Sequence, residues 1–217
     1  MVVYPERAAV NEPVAKAKIY AKGNVTARVK QLFVSQVDEI IWKFKLAPET
    51  INLPAGAGVP EIQVFAIRQK REELSVEVLK CIDRVVKFPI IFELGFGDKV
   101  REVACYKRPN ATDSKLWVLS DYFEGEWREP GSHEVAMPLA LDLAGLYGQL
   151  LFRLMPVSAR PQESLAELVG RVEQVRAKRR EVEKTAVRLE AEKQFNRRVE
   201  INATLRQLKN ELKQLTR

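Results

Sequence analysis

Six residues could support acid-base or metal chemistry in this chain: Asp38, Glu39, Glu61, Gln63, Asp83 and Glu93. A Mg²⁺-dependent nuclease needs carboxylates on adjacent strands, with a lysine two residues after one of them, to hold the ion and orient water. Glu61, Gln63 and Glu93 are the best candidates. Glu61 and Gln63 share a side of one apparent strand, and Glu93 closes an apolar run where a carboxylate is costly unless used or paired. The spacing speaks against catalysis, because Gln63 and Gly95 stand where the lysine belongs. The plainer expectation is that Glu61 and Glu93 pair with Lys43, Lys45 or Arg68 across a sheet.

Other chemistries find less support. His133 is the only histidine, in the polar loop Gly131-Ser132-His133-Glu134, and one histidine makes neither a triad nor a zinc site. Cys81 and Cys105 form no Cys-x-x-Cys pair, and two cysteines imply no disulfide framework. No Walker A or Gly-x-Gly-x-x-Gly motif is present. Gly95-Phe96-Gly97-Asp98 reads as a hairpin turn. These residues therefore predict no catalytic group, no metal site and no cofactor, with Mg²⁺ entering only in the nuclease alternative.

The elements that must position these residues follow from periodicity. Residues 1–23 hold little periodicity and read as an arm. Asn24 can cap a helix over about 25–34, and Ser75 one through Lys87. Period-two alternation predicts strands over 36–46, 61–68, 99–107 and 115–123, with a two-sided apolar strand at 88–94 and a turn region at 108–114. In Trp42-Lys43-Phe44-Lys45 that alternation sends the aromatics inward and the lysines outward; a stacking platform for nucleic acid would need exposed aromatics. A buried helix is expected over 139–155, then a linker over 156–161. The fold class is α+β: one mixed sheet of about five strands packed by helices, in a domain over 24–156, followed by a basic coiled-coil-type extension over 162–217. No apolar run is long enough to span a bilayer and the start lacks a signal-peptide pattern, so a cytoplasmic protein is expected.

The extension carries the charge. From Arg171 to Arg217 there are 14 Lys and Arg against 7 Asp and Glu, with no glycine or proline, and the remaining 22 against 22 cancel. Leu168, Val172, Val175 and Leu189 keep one heptad register; Leu205, Leu208, Leu212 and Leu215 keep another. The phases disagree around Gln194–Val199. Two structures fit: a continuous coiled coil about 70 Å long with a register discontinuity, or a helical hairpin folding back there. The missing glycine and proline favour continuity. A narrow apolar stripe needs a partner, and a second copy is the simplest, so a homodimer is expected. Arg176, Lys178, Arg179, Arg180 and Lys184 form one basic patch and Arg197-Arg198 a second. Such patches either form a solvated outer face or attract the phosphates of DNA.

Several segments resemble the bacterial domain-of-unknown-function 4391 family. They are Ile41–Leu53, with its Lys45-Leu-Ala-Pro-Glu49-Thr-Ile-Asn52 core, Glu61–Phe65, Ile82-Asp83, Pro89–Glu93 and Lys193–Glu200. The resemblance implies a setting beside superfamily-2 helicases and DNA methyltransferases of the restriction or anti-phage kind, hence an accessory subunit partnering a helicase or methyltransferase. It implies no activity. It marks Lys45, Glu49 and Asn52, and the stretch 194–202, as binding surfaces.

Overall fold

A computed structural model describes residues 1–110, 112 and 117–217. The chain divides into two compact units, Met1–Leu154 and Met155–Arg217.

The first unit begins with β1 (Val2–Val3), a 3-10 turn at Glu6–Ala8, β2 (Ala9–Pro13) and α1 (Lys16–Gly23). The expected arm is thus built into the fold: β2 pairs antiparallel with the next strand, and Ile19 of α1 is buried. Asn24, at φ 46°, terminates α1 in the left-handed region rather than starting the next helix. That helix, α2 (Ala27–Gln36), is capped by Thr26, whose hydroxyl accepts from the Val29 amide.

Then follow β3 (Val37–Leu46), the short α3 (Pro48–Ile51), β4 (Ile62–Gln69), α4 (Val76–Val85) capped by Ser75, β5 (Ile90–Phe96), β6 (Lys99–Pro109), β7 (Trp117–Glu124), β8 (Val135–Ala136) and α5 (Leu143–Phe152). Residues 115 and 116 of the expected last strand, and residues 111, 113 and 114 of the expected turn region, lie outside the described residues. The main sheet has six strands in the order β2-β3-β4-β5-β6-β7, one more than about five; β2 is the addition. Among the described residues of this sheet only β4 and β5 run parallel, and α4 makes the crossover between them. Residues Gly97-Asp98 turn β5 into β6, with Gly97 at φ 54° in the conformation that favours glycine. β1 and β8 form a separate parallel pair. The expected helix over 139–155 is shorter, because Asp142 is its N-cap, accepting from the Gly145 amide at 2.7 Å, not an interruption within it. Leu139 and Leu141 are 96% and 93% exposed before it.

Both faces of the sheet are covered. Phe65, Ile67, Phe92, Leu94, Val103 and Cys105 pack with α1, α2 and α4 on one face. On the other, α5 places Tyr147 against Tyr106 of β6. Burying strands on both faces explains the two-sided apolar run at β5. It also explains a bulge in β3. Trp42 opposes Phe65, but the register shifts there and Phe44 opposes Val64, on the other face. Trp42 and Phe44 therefore do not share a face as simple alternation predicts. Lys43, at the bulge, turns toward Glu93.

The second unit is an antiparallel hairpin of α6 (Leu165–Ala191) and α7 (Phe195–Thr216). The helix does not run straight through. Glu192 and Gln194 take extended backbone, and the Glu192 carboxylate accepts from the Gln194 amide at 2.9 Å. Side-chain capping of this kind turns the chain without glycine or proline. Ser164 and Glu167 form a capping box at the start of α6. The hairpin base is fixed by Arg171, only 5% exposed. It holds Glu163 through two nitrogens at 2.6 and 2.7 Å, and donates to the carbonyls of Ser158 and Leu215.

Candidate functional site

The three nuclease candidates do not converge. Gln63 lies on the α4 face, beside Trp42 and Phe65, while Glu93 lies on the α5 face. The Gln63 amide donates to Glu61 at 2.6 Å, and Lys45 reaches Glu61 at 3.6 Å. Glu93, 4% exposed, is held by the Lys43 ammonium at 2.6 Å. These are the cross-strand ion pairs expected of Glu61 and Glu93 in a structural role. Burial pushes the Glu93 carboxyl above its usual range, Lys43 opposes that shift, and Glu102, directly across on β6, adds to it. Among the described residues, no three His, Cys, Asp or Glu side chains gather as metal ligands.

A different ionisable cluster forms the deepest polar feature of the first unit. Asp83 of α4 and Lys107 of β6 are fully buried, with Lys107 Nζ 3.6 Å from Asp83 Oδ1. The Tyr122 hydroxyl donates to Asp83 Oδ2 at 2.5 Å, and the Cys105 thiol to the same oxygen at 3.6 Å. Lys107 also donates to the backbone carbonyls of Asp83 and Val86. Those carbonyls end α4 and lack helical partners, so Lys107 caps the helix from within the core. The Tyr147 hydroxyl joins α5 to the same strand, accepting from the Lys107 amide and donating to the Cys105 carbonyl. Burial pushes the Asp83 carboxyl up to about 6, against the pull of Lys107, and the Cys105 thiol up as well. A raised thiol is a poor nucleophile. This network ties α4 to the sheet and α5. Its only sequence signals are a lysine that alternation places on the side of Val103 and Cys105, and the Ile82-Asp83 pair.

The segment Lys45–Asn52 is occupied by its own turn. Lys45 pairs with Glu49 at 2.6 Å, Thr50 Oγ1 accepts from the Ala47 amide, and Asn52 closes α3 at φ 53°.

The hairpin differs. Leu168, Val172, Val175, Ile201 and Leu205 are buried, and Leu189, Leu208, Leu212 and Leu215 are half-buried. The seam that suggested a second copy therefore has a partner in the chain's own antiparallel helix. A homodimer would have to use other residues. Outside the seam lie the cations. Arg179, Arg180, Lys184, Arg197 and Arg198 are exposed. Lys178 is bridged at 2.9 Å to both Glu181 and Glu211, and Arg176 is partly buried. Met155–Arg217 holds 15 Lys and Arg against 9 Asp and Glu; Met1–Leu154 holds 21 against 20. At the turn, Phe195 is 76% exposed next to Arg197 and Arg198, with Val199 54% and Val187 61% exposed nearby. An exposed aromatic ring beside guanidinium groups can stack a base while the cations hold its phosphates.

An α+β domain with a basic helical hairpin is the class of protein these two units define. The chain belongs to the family described as domain of unknown function (DUF4391), which matches residues 3–212. No curated protein and no solved structure matches it.

Proposed function

We propose that this chain is a non-catalytic accessory subunit of a bacterial DNA-targeting system of the defence or restriction kind, working in the cytoplasm beside a helicase or DNA methyltransferase. Its hairpin holds nucleic acid by phosphate contacts, with Phe195 as a stacking group. The observation that carries this reading is the exposed cluster of Phe195, Arg197 and Arg198 at the turn of the unit that holds the excess positive charge. The family context supports the setting, and the paired, divergent positions of Glu61, Gln63 and Glu93 support an absence of catalysis. No helix among the described residues is long and apolar enough to cross a membrane.

Fluorescence anisotropy of labelled single- and double-stranded DNA, repeated across a salt series, tests the proposal. Log affinity should fall linearly with log salt, with a slope near −0.7 to −0.9 per phosphate contacted. A response that is flat in salt, or no binding at low salt, would overturn it.

A further inference from the structure

On the α4 face of the first unit, a cavity of about 450 Å³ opens between α1, β3 and the end of α4. Its size falls in the range of small-ligand sites. Trp42, Phe65 and Phe88 give it aromatic walls. Gln63, 8% exposed, contributes an amide to this otherwise apolar wall. The amide's two ends are assigned: Nε2 donates one hydrogen to Glu61, which can only accept, so the other end is the oxygen, able to accept from a donor. Lys18 and Lys22, one turn apart on α1, and Lys87, just beyond α4, stand at the mouth with their side chains exposed. None of the three is in an ion pair among the described residues. Among the described residues that line the cavity, Glu12 is the one carboxylate, leaving the mouth positive.

We propose that this cavity binds a nucleoside phosphate through a base that carries an amino group. The aromatic walls stack the base, the Gln63 oxygen accepts from its exocyclic amine, and the lysines hold the phosphate. A fatty acid or simple aromatic acid would match the walls and the cations but leave the Gln63 oxygen unused. A free nucleotide and the phosphorylated end of a single strand offer the same chemistry. This site lies in the first unit and stands independently of the hairpin reading.

Calorimetric titration of the full chain with AMP, adenosine, inorganic phosphate and a short 5′-phosphorylated adenine strand tests the proposal, with tryptophan fluorescence as a second readout. AMP should bind saturably and more tightly than adenosine or phosphate, and should change the tryptophan emission, a change that Trp42→Phe should abolish. The exposed double variant Lys18→Glu/Lys22→Glu should weaken AMP by about tenfold or more, whereas Arg197→Glu/Arg198→Glu should leave it unchanged. Tighter binding of the strand than of AMP would identify a chain end as the ligand; AMP binding alone would identify a free nucleotide. Absence of saturable binding of both AMP and the strand, or AMP binding that survives the lysine reversal, would overturn the proposal.

Discussion

The two units use charge in opposite ways. In the first, three carboxylates turn inward: Asp83 meets Lys107, Glu93 meets Lys43, and Glu61 meets Lys45 and the Gln63 amide. In the second, apart from the Arg171–Glu163 clamp, cations turn outward around a seam of valine and leucine. The contrast shows what a carboxylate in a strand signifies here. Glu93 looked catalytic because its burial is costly, yet the cost is offset by a lysine delivered through a β-bulge. On the outer face of the hairpin no such burial is involved, and exposed charge beside an exposed aromatic remains available to a partner.

Changes to the inward charges should have the largest effects. Asp83→Ala leaves Lys107 buried without its carboxylate and should cost about 3–5 kcal/mol by urea denaturation. A loss under about 1 kcal/mol would erase the distinction between the units. The pH dependences should also oppose each other. Asp83 has a folded pKa raised from 3.8 to about 6, so the folded state holds its proton more tightly. Its contribution to stability should rise as pH falls from about 6 toward about 4, and Asp83→Asn should remove that slope. Arg171 and nearby backbone hold the Glu163 carboxyl down to about 2. Its stabilisation is therefore present above the usual carboxylate range and lost as pH falls toward about 2. Stability curves of the parent, Asp83→Asn and Glu163→Gln against pH check both signs.

On the outward side, Phe195→Ala should weaken single-stranded DNA binding by about 1–3 kcal/mol while changing stability by no more than about 0.5 kcal/mol. Loss of both together would mean that the ring is structural. The smallest effect should come from Lys178→Ala. It breaks solvent-screened bridges to Glu181 and Glu211, and should leave the denaturation midpoint almost unchanged.

Five strands of the main sheet and the Ser75-capped helix are legible because four strands alternate in sequence, the fifth is a continuous apolar run, and the helix carries a standard cap. What escaped depended on distant partners. β2 is an exposed edge strand with Pro13 and the left-handed Asn11, and pairs irregularly with β3, so it shows no alternation. The β3 bulge is imposed by the need to cover both sheet faces, which no local pattern records. Alternation puts Lys107 on the side of Val103 and Cys105, but its partner Asp83 is evident only once α4 is docked over it. The hairpin turn was half-visible: the change of heptad phase located it, but the lack of glycine and proline favoured a straight helix, because side-chain capping by Glu192 is indistinguishable in sequence from an ordinary helical glutamate. The candidate site was legible in its arginines, and Phe195 gained meaning only once it stood exposed at a turn.

The most direct test of the contrast is the salt slope of DNA binding by the parent chain and by Arg197→Glu/Arg198→Glu, measured alongside a matched reversal of Arg68 and Lys70 in the first unit. The hairpin reversal should weaken binding by about tenfold or more at low salt and reduce the slope by nearly two phosphates. The Arg68 and Lys70 reversal should change neither by a comparable amount. Equal losses from the two reversals would contradict a division of labour between inward and outward charge.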